Sequence, residues 1–521
     1  MITQLDLADI QGNIVKAYGR YGFPVARHIF FHITKAQAGR DFVSNVTPLI
    51  TTSVPWRDGS KIPSVAFNIA FTYQGLRELD VPDDTLHGFP DEFSMGMKAR
   101  RDIIGDTGPN HYSHWDPIWN LEQEGENQYV HVMVSINAKT EALLESAYQQ
   151  LRVIAAKTPD IVQLAGHRGP GGDDLPYQPA AALEQSDKEH FGYSDGISST
   201  FFDGCGEDPD LVIGGGKPNG KDPRTREGWD PLAPGEFIFG HADESGANPE
   251  APGPPLFSKN GTFLVYRKLH QNVASFWSYL DEVGSRFPGG KERFAAKIAG
   301  RWRNGAPLVS FPTEKLANEF VDEVNRLQVR VRSGAANATE KDRLDELNLQ
   351  FVAYDYNDDP DGAKCPFGAH TRRSNPRSAL EYGKKGAFDS PAALTNRRRL
   401  LRRGLPYGAE EQQPTDEGDH GVVIMLLNAD LSRQFEFVQQ QWFNFGNDFG
   451  LANDQDSFLG NNGKNENCRA HGRMMIEGDK DTPPYFCSNM PTLVETRGGD
   501  YFFVPSMTCL RMLGLGIVDA T

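Results

Sequence analysis

The chain of 521 residues is short of the features that tie small secreted folds together. It has five cysteines, Cys205, Cys365, Cys468, Cys487 and Cys509, none in a CxxC pair and one necessarily left over. That excludes a disulfide framework as the organising principle and fits a reducing compartment. No run of about 18 apolar residues occurs, so no membrane-spanning helix is expected. The opening MITQLDLADIQGNIVKAYGR lacks a charged start, an apolar core and a small-residue cleavage site. No secretory leader is therefore expected, and the expected location is cytoplasmic. Positive charge is in deficit, with 53 Lys+Arg against 70 Asp+Glu and a net charge of −17. Such a surface repels phosphate backbones, so nucleic acid is not an expected partner. HExxH and CxxCH are also absent, as is the GxxxxGK[ST] phosphate loop; VIGGGKPNGK (212–221) has no Ser or Thr after a lysine. Cys365 and His370 have no second ligand pair at zinc spacing.

Apolar residues make up 38% of the chain and aromatics 11%, ample for packed cores, while 53 glycines and 34 prolines imply many loops. The length favours two domains, and the Pro/Gly-dense SGANPEAPGPPLFS (245–258) marks a boundary between 1–250 and 251–521. Four segments share one plan of apolar strand, polar turn and helix-period stretch: 28–50, 129–155, 261–283 and 421–443. In the first, Ile29, Phe31 and Ile33 alternate with His28 and His32 as in a half-buried strand. In the second, Val130, Val132 and Val134 alternate before Leu143, Leu144, Ala147 and Leu151 take helical spacing. With SVAFNIAFTY (64–73) and LQFVAYDY (349–356) as intervening strands, the expected class is α+β. Two ferredoxin-like βαββαβ units with antiparallel sheets fit this plan. Residues 203–235 and 332–343 are expected to be loops, and the Asn/Asp/Gly-rich 444–472 a surface insertion.

Three stretches carry residues suited to chemistry. CPFGAHTRRSNPR (365–377) sets His370 after a small-residue turn and before Arg372, Arg373 and Arg377, an arrangement that asks for an anion. HFGYSDGISST (190–200) brackets Asp195 with Gly192 and Gly196, whose backbone freedom lets an acid be aimed into a cavity. A plain Asp-Gly turn reads the same way. In LLRRGLPYG (400–408), Arg402 and Arg403 precede Gly404 and Pro406, which end the element there. Arginine holds an anionic oxygen without titrating, although a solvated basic cap has the same composition.

In combination and in order, these stretches resemble the dye-decolorizing peroxidases, a family of b-type haem proteins, and are most similar to its larger cytoplasmic and fungal-like branch. GYSDG (192–196) fits the family's GxxDG signature, beside CPFGAHTRRSNPR and RRGLPYG (402–408). Supporting stretches run in family order: DIQGNIV (9–15), FPDEFSMGM (89–97), PGEFIFGHADE (234–244), NGTFLVYRKLHQNV (260–273), GRWRNGAPL (300–308) and YFFVPSMTCLRML (501–513). His241 departs from the aromatic residue common at its position. The resemblance implies two ferredoxin-like units, an N-terminal one carrying the GxxDG loop and a C-terminal one holding a single non-covalent haem b. It implies His370 as the iron ligand, Asp195 as acid–base on the open face, and Arg402, two residues before the glycine, rather than Arg403. Ile197 and Ser198 are expected among the cofactor-binding residues. Arg372, Arg373 and Arg377 are expected to pair with haem propionates, Arg377 foremost. Glu436, in FEFVQ, is expected to bond His370, with Asp430 second. The implied partners are hydrogen peroxide and bulky organic reductants such as anthraquinone dyes and phenols, with no membrane or nucleic acid. Tyr407 and Trp442 lie near the haem segments as packing residues or electron carriers. A carboxylate base with an ordinary pKa of about 3.9 implies an acidic optimum, about pH 4–5. The competing implication is a haem-binding or iron-handling protein with little turnover.

Overall fold

The computed structural model describes residues 5–56, 62–120, 128–168, 174–183, 187–381, 392–409, 413–462, 472–479 and 481–518. Cys468 lies outside these. The first βαββαβ run consists of β1 (Val25–Ile33), α1 (Ala36–Val46), β2 (Val65–Phe71), β3 (Val132–Ala138), α2 (Glu141–Ala156) and β4 (Ile161–Gln163). A further strand, β5 (Gln178–Ala181), returns to pair with β1. The second run opens with β6 (Thr262–Gln271) and α3 (Val273–Glu282). A helical insertion follows, with α4 (Gly290–Ala299), α5 (Glu314–Arg332), α6 (Ala338–Gln350) and the single turn α7 (His370–Ser374). The run closes with β7 (Leu401–Tyr407), β8 (Gly421–Asn428), π-helical turns over Leu431–Glu436 and Val438–Phe443, and β9 (Val494–Val504). No helix among the described residues is long and apolar enough to cross a membrane.

All pairings in the main sheet are antiparallel, in the order β7-β8-β6-β9-β2-β3-β1-β4. Each run thus reads second, third, first, fourth strand, the ferredoxin-like order expected from the sequence. The runs join head to tail at Phe503 of β9 opposite Phe71 of β2. At the far ends, β5 packs against β7, so the row curls round on itself. Inside lies a core that draws on both runs, including Phe30, Trp119, Tyr266, Tyr407 and Phe502. This closure explains why β1 is buried along most of its length rather than half-buried. His28 lies inside and bonds the Ser135 hydroxyl at 2.9 Å.

Two sequence expectations are corrected. LQFVAYDY (349–356) is no strand: α6 runs to Gln350, and Tyr354 and Tyr356 pack with Phe320 and Leu347 of the helical insertion. The loop expected over 332–343 is confined to 333–337. Asn337 and Glu340 form a capping box that starts α6, because each satisfies a backbone N–H the first helical turn leaves open.

Candidate active site

A cavity of about 420 Å³ lies on the outer face of the second run's sheet. Strand alternation chooses its wall. Arg267, Leu269 and Gln271 of β6, Val422, Ile424 and Leu426 of β8, and Arg402 of β7 all face it. Arg403, one residue on, turns to the other side and is buried against the carbonyls of Asn13, Ile14 and Val15. The π-helical turns add Phe435, Val438, Gln439 and Phe443. Loop residues Gly105, Asp106 and Asn110, with 193–198 including Ile197 and Ser198, close the cavity from the first run's side.

His370 opens α7 on one wall, and the Thr371 hydroxyl ties that turn to the Ala299 carbonyl at 2.7 Å. Its Nδ1 lies 3.1 Å from both carboxylate oxygens of Asp456, which is fully buried. An ionised carboxylate only accepts, so Nδ1 donates and Nε2 keeps its lone pair. Burial pushes the Asp456 carboxyl up, but His370, Arg373 and the Leu459 N–H outweigh it and hold it below its ordinary value. Phe443 stacks on the imidazole at 5.6 Å between ring centroids, and Phe458 meets it edge-on at 5.5 Å.

Asp195 and Arg402 form the other functional pair, with both guanidinium nitrogens 2.5 Å from the two carboxylate oxygens. The Asp195 backbone N–H donates to the Asp187 carbonyl, and Gly196 at φ +70° turns its own N–H onto Oδ1 at 2.7 Å. Burial pushes this carboxyl up, Arg402 and the Gly196 N–H pull it down, and the net position is below the ordinary value.

A family profile described as the "DyP dimeric alpha+beta barrel domain" matches residues 9–169. Peroxidase 2 of Mycetinis scorodonius is 26% identical, over 97% of this chain and 87% of its own. The multifunctional dye peroxidase DyP2 of an Amycolatopsis species is 26% identical, over 98% of this chain and 96% of its own. The solved structure of an ancestral D-type dye decolorizing peroxidase superposes with a TM-score of 0.69 at 25% identity, covering 98% of this chain and 99% of the other. Residues 9–169 thus match the family's barrel domain, and over nearly its whole length the chain is similar to dye-decolorizing peroxidases.

Dye-decolorizing peroxidases are haem enzymes as a family, and the cavity suits a flat apolar macrocycle with anionic arms. Its centre is walled by Leu269, Ile424, Phe435, Val438, Phe443 and Phe458. The open Nε2 of His370 is a fitting iron donor. At the wall stands Arg399, 7% exposed, whose guanidinium, among the described residues, hydrogen-bonds the Gly215 and Gly216 carbonyls and the Thr200 hydroxyl and no carboxylate. Burial, with Arg377 nearby, pushes it down to about 9. An uncompensated buried cation of this kind suits a carboxylate arm.

The peroxidase resemblance placed several residues elsewhere. Glu436 does not bond His370: it accepts from Arg100 at 3.0 and 2.5 Å and from the Tyr501 hydroxyl at 2.9 Å. Asp430 bonds Arg433. Neither Arg372, Arg373 nor Arg377 lines the cavity. Arg372 is held by the Cys365 and Asp359 carbonyls and the Asp359 carboxylate. Arg373 gathers the carbonyls of Trp442, Phe445 and Asp454. Arg377 bonds the Val352 carbonyl and lies over the Tyr354 ring at 3.8 Å. All three are buried where irregular backbone leaves carbonyls to be satisfied, and guanidinium groups supply the donors. Arg399, Arg301 and Arg267, none of which the sequence singles out, line the wall together with Arg402. Nothing in the sequence marks Asp456, because the Asn/Asp/Gly-rich composition of 444–472 reads as a surface insertion. Its described part folds inward instead: the Asn462 amide bonds the Asp456 carbonyl at 2.8 Å and Asn444 bonds Ile104 O at 3.0 Å. Tyr407 and Trp442 are buried.

Proposed function

We propose that this chain is a hydrogen-peroxide-dependent peroxidase with one haem b per chain, bound non-covalently, that oxidises bulky organic reductants such as anthraquinone dyes and phenols. The observation that carries this reading is a single cavity with a carboxylate-backed imidazole on one wall and a carboxylate–guanidinium pair on another. Relatives are named for dyes, and one solved relative holds 2,6-dimethoxyphenol.

His370 would hold the haem iron through Nε2, with Asp456 fixing the ring's tautomer and strengthening it as a donor. Arg399 and Arg301 would hold the propionates. The bound haem supplies the redox equivalents for peroxide cleavage and reductant oxidation. Asp195 then handles the proton. Among the described residues, its Oδ1 accepts from both Arg402 and Gly196, whereas Oδ2 accepts from Arg402 alone. Oδ2 therefore has the freer lone pair to take a proton from one peroxide oxygen and return it to the other, which leaves as water. Arg402 stabilises the negative charge that builds up on the departing oxygen.

The test is protein loaded with hemin. A Soret band near 400 nm that His370→Ala abolishes, with peroxide-dependent bleaching of an anthraquinone dye, is the expected result. Asp195→Ala is expected to cut bleaching about 10²–10⁴-fold. A protein that binds hemin but does not bleach is a haem carrier, and the proposal fails.

A further inference from the structure

Glu189 lines the cavity, yet the chemistry above makes no use of it. It stands near the tip of a short hairpin, 187–195, that ends on Asp195. The Asp195 N–H donates to the Asp187 carbonyl at 2.7 Å, and Lys188 and Ser194 form an antiparallel bridge. The Glu189 N–H donates to the Tyr193 carbonyl at 3.0 Å, and the Gly192 N–H closes the tip onto the Glu189 carbonyl at 2.8 Å. Gly192 has φ +86°, which the tight reversal requires. The tip leaves the Phe191 and Tyr193 N–H groups to a side chain. The Glu189 carboxylate accepts both at 2.9 Å, one on each oxygen.

The same carboxylate ties the hairpin to the sheet, because Oε2 also accepts from the Gln271 side-chain amide of β6. All three partners are donors, so Glu189 is the acceptor around which the tip is built. Burial and the Asp195 charge push its carboxyl up to about 7, against the pull of those three donors. Other bonds fasten the hairpin to the cavity walls. His190 Nε2 donates to the Tyr407 carbonyl of β7, the strand of Arg402, at 2.9 Å. The Tyr193 hydroxyl donates to the Ala295 carbonyl of α4 at 2.8 Å, and the Ser194 N–H to the Arg303 carbonyl at 3.1 Å. Phe191 is 2% exposed and packs on Phe276 and Phe458 at 4.6 and 5.7 Å between ring centroids.

Asp195 and Arg402 come from separate segments of the chain, so their meeting depends on how the hairpin is held against β6 and β7. An acceptor that orders the tip therefore orders the pair. Loss of that acceptor orphans two backbone N–H groups and an amide at once, and the tip relaxes to find water for them.

We propose that Glu189 is a positioning residue for the peroxidase reaction: its carboxylate holds the hairpin tip in shape and thereby sets where Asp195 meets Arg402 and peroxide. The proposal rests on the peroxidase reading. No proton passes to or from Glu189 in this role; it acts through Asp195 alone. A proton-handling group displaced by about 1 Å loses about 10²-fold in rate, which makes the role measurable.

The experiment is a double-mutant cycle on hemin-loaded protein: wild type, Glu189→Leu, Asp195→Ala and the double variant. The rate read is the Soret change after mixing with peroxide, with bleaching of an anthraquinone dye alongside. Glu189→Leu is expected to keep the resting Soret band and to slow the peroxide reaction about 10–100-fold. In the Asp195→Ala background the same substitution is expected to change the rate less than about twofold, because the group it positions is gone. Hydrogen exchange gives a readout without haem: the amides of 187–195 in hemin-free Glu189→Leu are expected to exchange about tenfold faster than in wild type. Equal losses in the two backgrounds overturn the proposal, since damage then does not pass through Asp195. A wild-type rate in folded Glu189→Leu overturns it too, as does unchanged exchange over 187–195. A wild type that binds hemin and bleaches no dye overturns the peroxidase reading and this role with it. Should Glu189→Leu fail to fold, Glu189→Gln is read by the same cycle, its amide oxygen accepting one N–H while its NH2 group opposes the other.

Discussion

Burial and the Arg402 guanidinium pull the Asp195 carboxyl in opposite directions, and the guanidinium prevails. The ionised base is present above this lowered pKa and is lost as pH falls through it. The acid limb of the profile therefore lies below the ordinary carboxylate range. Removing the cation leaves burial opposed chiefly by the weaker Gly196 N–H. Arg402→Leu is expected to move the acid limb of kcat/KM for peroxide upward by about 1–3 pH units, and a limb that stays put excludes Asp195 as the base. Asp456 makes a second test at this scale. Asp456→Ala is expected to weaken hemin affinity about 10–100-fold, read from a Soret titration. Glu436→Gln, by contrast, loosens Arg100 and Tyr501 and is expected to cost about 1–3 kcal/mol of stability with no change in the haem spectrum. The reverse pattern would restore Glu436 as the partner of His370.

Elements decide which of these residues meet. On β7, Gly404 sits at φ +148°, and a Cβ there would come within 2.2 Å of the Val423 carbonyl. Gly404→Ala is expected to cost about 1–3 kcal/mol in strain, lowering the thermal midpoint and misaligning Arg402, so that turnover falls while hemin still binds. The strand–turn–helix segments were legible because alternation and helical spacing are local properties of the chain. The same locality explains the failures. Whether a guanidinium meets a haem propionate or a stray carbonyl depends on backbone arriving from elsewhere, as Arg373 shows by serving Trp442, Phe445 and Asp454. The polar composition around Asp456 reads as exposure, although its amides satisfy buried backbone. The NATE stretch at 337–340 did carry a readable capping signal, in the spacing of Asn337 and Glu340.

At the scale of the whole molecule, the two runs share the cavity as well as the core. Asp106, from the first run's side, forms a buried 2.6 Å ion pair with Arg267 of β6, and both residues line the cavity. Asp106→Ala leaves that guanidinium buried and unpaired, at an expected cost of about 3–5 kcal/mol. Urea unfolding with an unchanged midpoint would contradict this coupling.

The head-to-tail arrangement of the two runs has a further consequence. A row of strands joined that way has two related junctions, and here one is the Phe503–Phe71 contact while the other is β5 lying against β7. Arg402 rides on the strand at that second junction. Prying it apart would bare a row of unpaired peptide groups and displace the guanidinium in one motion. Damage there should therefore show itself as clumping of the protein together with silence towards peroxide, whereas damage inside the cavity should leave the protein dispersed.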